Sequence, residues 1–297
     1  MIATTRRNTP RRANIATRPA KANLFLSKAF KTRRTVLYVP ADNPRALEKA
    51  RGLDADCIIL DLEDAVAPKA KPAARDAACR AIAGLGAREV IVRINSLSSA
   101  WGCDDLAAVR RARPNAIALP KVKDAEDVIS VRGQAGGVPL WAMIESPGAV
   151  LNAGEIARAG VTALVLGTND LLKDMGARHM PDRANLWPAM SLCVMAARAA
   201  GIVVLDGVHN DLSDTEGFVR ACRQACDFGF DGKTIIHPSQ IAPCNAAFTP
   251  TPEEIAAARR VVNAFAANPQ AGVLTLDGRM VERLDVKIAE RLLARAP

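Results

Sequence analysis

The chain has 297 residues, of which 49% are hydrophobic and only 4% aromatic, as expected for one or two globular domains with an aliphatic core. Its longest apolar runs fall far short of the roughly 18–20 residues that a membrane-spanning helix requires, which excludes such a helix. The formal net charge is +9 at pH 7, and its distribution along the chain shows whether the folded part of the protein is basic.

The excess positive charge lies in residues 1–34, which contain ten Lys or Arg residues and no acidic residue. The remaining chain is near neutral, with 30 basic and 31 acidic residues, which argues against a nucleic-acid-binding face on the fold. We expect residues 1–34 to form a disordered basic leader. A protein that binds RNA or DNA through this leader is the alternative from a different functional class.

The cellular location is predicted from the cysteines and from the leader. Seven cysteines without a C-x-x-C pair are typical of a reduced, cytoplasmic protein. The Arg, Thr and Ala content of the leader also resembles an organelle transit peptide, so an organelle matrix is the alternative location.

Eight short β-branched runs recur along the chain, separated by helix-like segments rich in Ala, Arg and Glu. They span residues 34–39, 57–63, 89–95, 116–122, 139–146, 163–170, 203–208 and 232–238. Apolar strands that alternate with helices predict a parallel sheet, and eight such units predict an α/β fold closed into a (β/α)8 TIM barrel. An open doubly wound sheet is the alternative, but no G-x-G-x-x-G motif follows the first run.

Terminal signals place two helices, at residues 44–53 and 252–267, each of which begins with a proline. The second helix follows the eighth strand, and after it come a hairpin-like LDGR stretch and an amphipathic helix. We therefore divide the chain into a leader (1–34), a barrel (35–250) and a C-terminal helix and arm (251–297). The arm is expected to cap the barrel or to pack on a neighbouring subunit.

Polar residues collect at the predicted carboxyl ends of these strands, which in a barrel share the rim where active sites lie. They are Asp61, Glu63, Asp64, Arg93, Asn95, Lys121, Glu145, Asn169, Asp170, Asp206 and His237. Any one of them can instead cap a helix or hydrogen-bond a loop. Because eight strands end in this way, we expect these side chains to converge on one site.

Glu145 and Asp170 follow neighbouring predicted strands, so their carboxylates can hold a hard cation whose remaining ligands are water. Mg²⁺ fits this donor set, whereas the sequence offers no His or Cys at the spacing that zinc requires. Both residues are expected to precede loops rather than helices, which favours ligation over capping. Arg93, two strands away, can hold a carboxylate or an oxyanion. Together these residues predict a site for a small anionic oxo- or hydroxy-acid.

Seven motifs occur in order between about residues 33 and 292. They are VLYVPADNPR, DLEDAV, VRIN, LPKV, IESPGAV, LGTNDL and GFDGKTIIHPSQI. Together they resemble the citrate lyase β-subunit family, related to malyl-CoA and citramalyl-CoA lyases within the HpcH/HpaI aldolase superfamily. The resemblance implies a Mg²⁺-dependent carbon–carbon lyase that acts on 3-hydroxyacyl thioesters of CoA or an acyl carrier, giving an acetyl thioester and a 2-oxo acid. It also implies a homotrimer or hexamer.

On this resemblance, Glu145 and Asp170 match the family's metal ligands, and Arg93 matches its substrate-binding arginine. The complete prediction assigns catalysis to Arg93, Glu63 and Glu282, substrate binding to Arg93, Glu145, Asp64 and Lys121, and the metal to Glu145 and Asp170. Many CoA-dependent relatives carry an aspartate in the arm that reaches a neighbour's site. Here the matching stretch is Met280-Val281-Glu282, flanked by Asp277 and Asp285, and which of these three acids acts is left open.

Three activities fit this prediction. The first is a stand-alone lyase for malyl-, citramalyl- or citryl-CoA. The second is a citrate lyase β subunit that depends on a carrier protein. The third is a thioesterase of the malyl-CoA type, because water can hydrolyse the same activated thioester.

Overall fold

The computed structural model describes residues 32–86 and 88–296, so residues 1–31 of the predicted leader lie outside the described residues. Eight parallel strands close into a barrel in chain order, with the last strand hydrogen-bonded to the first. They are β1 (Thr35–Pro40), β2 (Cys57–Asp61), β3 (Glu89–Arg93), β4 (Ala116–Leu119), β5 (Leu140–Ile144), β6 (Ala163–Leu166), β7 (Val203–Asp206) and β8 (Gly232–Ile235). The predicted (β/α)8 barrel is confirmed.

The helices surround this barrel and extend beyond it. They are α1 (Pro44–Ala50), α2 (Lys71–Ala81), α3 (Gly102–Ala112), α4 (Ala125–Arg132), α5 (Pro147–Leu151), α6 (Ala153–Arg158), α7 (Thr168–Asp174), α8 (Trp187–Ala200), α9 (Thr215–Phe228), α10 (Ile241–Phe248), α11 (Pro252–Ala267) and α12 (Arg283–Leu293). Helix α11 has the predicted bounds, because Thr251 and Glu254 form a reciprocal capping box at its start. Helix α1 ends earlier than predicted, since the amides of Arg51 and Gly52 bond three residues back and tighten the last turn.

Side chains of each strand alternate between the barrel interior and the surrounding helices. The interior cluster is hydrophobic, built from Val36, Cys57, Ile59, Ile91, Ala116, Ala118, Trp141, Met143, Ala163, Val165 and Leu205. The same alternation continues to the carboxyl end of the barrel. There it brings Tyr38, Asp61, Arg93, Glu145 and Gly167 to the inward face. The pleat therefore directs charged side chains of three strands into one mouth of the barrel.

Two arginines of the predicted leader contact the opposite, amino-terminal end of the barrel. The guanidinium of Arg33 donates to both oxygens of Glu89, at 2.6 and 2.8 Å. Arg34 forms an ion pair with Asp56 at 2.8 Å. The last residues of the predicted leader thus bind the first layers of the barrel.

The C-terminal arm begins with a two-stranded antiparallel hairpin, β9 (Val273–Leu276) and β10 (Arg279–Glu282). Asp277 and Gly278 connect the strands with φ values of +52° and +75°, as a two-residue hairpin turn of this kind requires. Helix α12 follows and packs on α11. Among the described residues, the longest helices are too short or too polar to span a bilayer.

Candidate active site

Arg93, the last residue of β3, lies in the barrel mouth among three carboxylates. Its Nε and one terminal nitrogen donate to the two oxygens of Asp61, both at 2.6 Å. The other terminal nitrogen, NH1, lies 2.8 Å from Glu63 Oε2 and 3.4 Å from Asp64 Oδ2. The Tyr38 ring packs against the guanidinium, with its centre 4.8 Å from Cζ. The two guanidinium nitrogens that the sequence assigned to a substrate carboxylate are therefore bound to Asp61, and the third, NH1, faces Glu63 and Asp64.

The charge on Arg93 is secured by its surroundings. Burial opposes the cationic form, but the negative charge of Asp61 and its hydrogen bonds outweigh that effect and raise the pKa of Arg93 above its usual range. Burial also raises the pKa of the Tyr38 hydroxyl, so this ring remains neutral. Arg93 thus supplies a permanent, fixed positive charge to the mouth.

Glu63 lies in the loop after β2 and faces two cations with its two oxygens. Oε2 is close to Arg93 NH1 but is not aligned for a hydrogen bond, and no described residue donates one to it. Oε1 lies 3.9 Å from Lys121 Nζ. Burial raises the pKa of Glu63 to about 7, although the charge on Arg93 acts to lower it. A buried carboxylate with this pKa can exchange a proton near neutral pH.

A buried lysine holds the backbone of this loop in place. The ammonium of Lys71 donates to the carbonyl oxygens of Leu62 and Glu63, at 2.9 and 2.8 Å. The amide of Asn95 also donates to Leu62, at 2.9 Å, and Asp61 accepts the backbone N–H of Glu63 at 2.9 Å. Glu63 is therefore positioned by groups from β2, α2 and the end of β3.

The two predicted metal ligands meet at the side chain of Lys121. The ammonium of Lys121 donates to Asp170 Oδ2, and it lies 3.6 Å from Glu145 Oε1. The backbone N–H of Lys121 donates to the same Glu145 oxygen. Burial lowers the pKa of Lys121, but the hydrogen bond to Asp170 and the nearby carboxylates reverse this and raise it. Glu145 and Asp170 thus share one positive charge at the mouth.

Gly167 makes room for the carboxylate of Glu145. It continues the inward face of β6, and a Cβ at this position would lie 2.4 Å from Glu145 Cβ and 2.8 Å from Glu145 Oε2. Glu145 itself is 2% exposed, and burial raises its pKa, against the opposing effects of Lys121. The missing side chain therefore shapes the space in which Glu145 lies.

The expectation that Glu145 and Asp170 precede loops is wrong. Strand β6 ends at Leu166, four residues before the predicted end, and Asp170 lies in the first turn of α7. Glu145 directly precedes Ser146, which caps the start of α5. A helix begins shortly after each of these two strands. Neither carboxylate caps its helix, and both face the ammonium of Lys121 instead.

Three of the residues expected to converge lie elsewhere. Asn169 is exposed and its amide pairs with that of Asn210. Asp206 alternates with the interior residue Leu205 and so faces the helices, where Lys233 and Arg183 bind it at 2.6 and 2.8 Å. Burial opposes ionisation of Asp206, but these two cations hold its pKa below the usual value. His237 is exposed and accepts the backbone N–H of Ser239, within a short capping box. Asp206 thus belongs to a buried ion cluster, and His237 caps the short helical turn that follows β8.

Glu282 belongs to the C-terminal arm. It ends β10 and caps α12, with its own backbone N–H bound to Asp285 at 2.7 Å. Within residues 32–86 and 88–296, no hydrogen bond or ion pair joins Glu282 to Arg93 or to the carboxylates of the mouth.

Sequence reasoning missed three contributors to the mouth. Tyr38 and Met143 both share the inward parity of their strands, and Met143 Sδ lies 4.0 Å from Arg93 NH1. That parity was available from the alternation of the strands and would have identified both. The buried position of Lys71 had no such signal, because a lysine near a helix start is typical of exposed surface.

The side chains at Glu145 and Asp170 fit Mg²⁺. Both supply hard oxygen ligands, and the shared ammonium shows that the fold stabilises a positive charge between them. The described residues contain no cluster of three or more His, Cys, Asp or Glu arranged to hold a metal. A bound Mg²⁺ would therefore take its remaining ligands from water and substrate, as this ion commonly does.

Comparison with known proteins connects this geometry to a family. Residues 34–238 match the family described as HpcH/HpaI aldolase/citrate lyase. The chain belongs to this family. The matched span contains all eight barrel strands and every mouth residue described above, so the resemblance based on short motifs is confirmed.

Individual relatives differ in their named activities. The chain is 46% identical over 268 residues to a (3S)-malyl-CoA thioesterase from Cereibacter sphaeroides, covering 89% of this chain and 94% of the relative. It is 35% identical over 283 residues to the citrate lyase subunit beta of Escherichia coli, covering 90% and 94%. Among solved structures, it resembles CitE from Mycobacterium tuberculosis in complex with magnesium, acetoacetate and coenzyme A. That match has a TM-score of 0.76 and 34% identity, and covers 89% of this chain and 98% of the other.

Proposed function

We propose that this chain is a Mg²⁺-dependent enzyme that cleaves, or in reverse forms, the carbon–carbon bond of a 3-hydroxyacyl thioester such as malyl-, citramalyl- or citryl-CoA. The proposal rests on the arrangement of side chains in one mouth of the barrel. There Glu145 and Asp170 share the ammonium of Lys121, and the carboxylate of Glu63 lies between that ammonium and the guanidinium of Arg93. A metal at the first pair would supply Lewis-acid polarisation of the substrate hydroxyl and carboxylate. The CitE complex with magnesium and coenzyme A supports this assignment.

In the cleavage reaction each residue of the mouth has a separate role. Glu63 Oε2 accepts the proton of the 3-hydroxyl, because it is buried, has no hydrogen-bond donor among the described residues and has a pKa near neutrality. The C2–C3 bond breaks and its electron pair forms the enolate of the acetyl thioester. The carbon that carried the hydroxyl becomes the keto carbon of the 2-oxo acid. The fixed charge of Arg93 stabilises the enolate oxygen through NH1, and a proton delivered to C2 completes the acetyl thioester. Asp64 and Lys121, at the open side, bind the substrate's polar groups.

Hydrolysis of the same thioester is a second candidate. It is favoured by the 46% identity to a (3S)-malyl-CoA thioesterase, compared with 35% to a citrate lyase β subunit. In this reaction water attacks the thioester carbon, the carbon–sulfur bond breaks and free CoA leaves. The same enolate-binding charge then stabilises the tetrahedral oxyanion instead.

One assay separates these activities. The purified chain is incubated with malyl-CoA and Mg²⁺, and glyoxylate and free CoA thiol are measured together. Cleavage gives glyoxylate with acetyl-CoA, whereas hydrolysis gives malate with free CoA. Activity with the isolated chain argues against dependence on a carrier protein, and citramalyl-CoA and citryl-CoA extend the test to the other substrates. An enzyme that is inactive on all three, or indifferent to a chelator, would refute the proposal.

Substitutions at the candidate metal ligands provide the matched control. Asp170→Asn is expected to abolish metal-dependent turnover, while Asp174→Asn, exposed on the same helix α7, is expected to leave it unchanged. Retained turnover in Asp170→Asn would show that the ligand assignment is wrong.

We also infer that the C-terminal arm packs on a neighbouring subunit of a homotrimer or hexamer. The arm exposes four large apolar side chains, Val273, Met280, Leu284 and Ile288, each more than half exposed in the single chain. Such a contact would bring Glu282 to the mouth of the neighbour, where a proton donor to C2 is needed. Light scattering of the purified protein tests the assembly, and a monomer at micromolar concentration would contradict it.

A further inference from the structure

The ammonium of Lys121 lies where a cation for the candidate metal ligands is expected. It donates to Asp170 Oδ2 and lies 3.6 Å from Glu145 Oε1 and 3.9 Å from Glu63 Oε1. One tethered positive charge therefore lies near three carboxylates, which come from the segments that follow β2, β5 and β6. Substrate binding alone does not explain this position, because the ammonium faces the carboxylates rather than open solvent.

The backbone of Lys121 contributes separately from its side chain. Lys121 has a φ of +55°, a left-handed conformation that is unfavourable for a residue with a Cβ. In this conformation the backbone N–H donates to Glu145 Oε1, which anchors that carboxylate. A change of the side chain alone leaves this hydrogen bond in place, so the charge of the ammonium can be tested without removing the anchor of Glu145.

We propose that the Lys121 ammonium is a built-in counter-ion that a divalent cation must displace, so that metal binding and release of Lys121 are a single exchange. This inference rests on the metal site of the proposed function. Mg²⁺ binds oxygen ligands at about 2.0–2.1 Å, and an ammonium in contact with the same oxygens would be repelled at short range. The Lys121 side chain is 38% exposed, so it can leave towards the open mouth without disturbing the core.

The exchange has a consequence for substrate binding. Once displaced, the ammonium is a flexible cation at the entrance to the mouth, where an anionic group of the substrate arrives. The same lysine then neutralises the carboxylates in the metal-free protein and attracts the substrate in the metal-loaded protein. Lys121 is thus a positioning residue that sets metal affinity.

The first test measures Mn²⁺ binding to the chelator-treated full-length protein, without substrate, from the electron paramagnetic resonance signal of free Mn²⁺. Lys121→Gln removes a charge-assisted hydrogen bond that competes with the metal, so we expect its Mn²⁺ affinity to rise about tenfold. Lys123→Gln makes the same charge change at an exposed position of the same loop and is expected to alter affinity less than about twofold. A variant damaged in its fold would bind Mn²⁺ more weakly, which is opposite to this expectation.

The outcomes distinguish this inference from the proposed function. Unchanged or weaker Mn²⁺ binding by Lys121→Gln, in a protein whose binding is lost in Asp170→Asn, overturns the exchange but keeps the metal site. A wild-type protein whose Mn²⁺ binding is insensitive to Asp170→Asn overturns both.

A second test uses the wild-type chain and needs no substitution at Lys121. The protein is treated with an amine-acylating reagent with and without Mg²⁺, and labelling is measured at each lysine by mass spectrometry. Release of the ammonium predicts several-fold greater labelling of Lys121 when Mg²⁺ is present, with Lys123 unchanged. Labelling of Lys121 that does not respond to Mg²⁺ would overturn the exchange.

Discussion

Replacing Arg93 by methionine removes the one guanidinium that neutralises Asp61 and Glu63. The side chains of these carboxylates are 1% and 10% exposed, so water replaces little of the lost interaction. Removal of one partner from a buried ion pair typically costs about 3–5 kcal/mol, and methionine retains much of the apolar volume. We therefore expect the free energy of unfolding to fall by about 3–5 kcal/mol at about pH 8.

The loss of stability in Arg93→Met is expected to depend on pH, and the protonation of Glu63 determines whether the loss grows or shrinks as pH rises. Burial has already raised the pKa of Glu63 to about 7 in the wild-type fold, and Arg93 is the charge that restrains it. Without Arg93 this pKa rises further, so the folded variant binds the proton more tightly than the unfolded chain does. Its stability is highest below the unfolded pKa of about 4.3 and decreases as pH rises through the folded pKa. The gap between wild type and variant is therefore smaller at about pH 5 than at about pH 8.

Urea unfolding at both pH values measures these free energies. Arg220→Met is the matched control, because Arg220 and Glu216 form an exposed pair, 61% and 93% accessible, on α9. Such pairs contribute roughly 0–1 kcal/mol, so this variant should change stability little at either pH. A loss below about 1 kcal/mol in Arg93→Met, or an equal loss at the two pH values, would refute the reasoning.

Further variants test other parts of the mouth and the arm. Gly167→Ala places a Cβ 2.4 Å from Glu145 Cβ, so we expect weaker Mn²⁺ binding and a lower melting temperature, and unchanged affinity would contradict the packing argument. Lys71→Met removes the charged donor that the carbonyl oxygens of Leu62 and Glu63 share and should cost about 1–3 kcal/mol in urea unfolding, whereas unchanged stability would show that their remaining donors, Asn95 and the backbone N–H of Val66, hold the loop. Glu63→Gln should remove the fall in wild-type stability that occurs as pH rises from about 4.5 to about 7, and an identical pH profile would count against Glu63 as the titrating group. Glu282→Gln is expected to slow turnover without changing Mn²⁺ affinity, and normal turnover would leave this residue a structural role alone.

Strand alternation explains why much of the mouth could be predicted. The apolar runs fixed where the strands begin, and a closed parallel barrel brings all their carboxyl ends to one rim. Arg93, Glu145 and Asp61 then follow from the inward parity of three strands. Parity also explains the failure at Asp206, which follows the interior residue Leu205 and so faces the helices. Counting alternate residues back from each strand end would have excluded it.

Strand ends were harder to locate than strand beginnings. The residues after Leu166 are polar but helical, and a short apolar run does not show where extended backbone gives way to a helix. Asp170 therefore reaches the mouth from the first turn of α7 rather than from a strand. Its distance from Glu145 along the chain gave no indication that both would contact the same lysine.

The sequence by itself determined the barrel, the family and the chemical types gathered at its rim, because hydrophobic periodicity and motif order are local properties that each segment carries. Only the tertiary structure decided which charges pair. The guanidinium of Arg93 is committed to Asp61, and Lys121 lies between the two carboxylates proposed for a metal. Such pairing depends on a few ångströms between strands far apart in the chain and on the balance of desolvation and Coulomb attraction, neither of which is encoded in the spacing of residues.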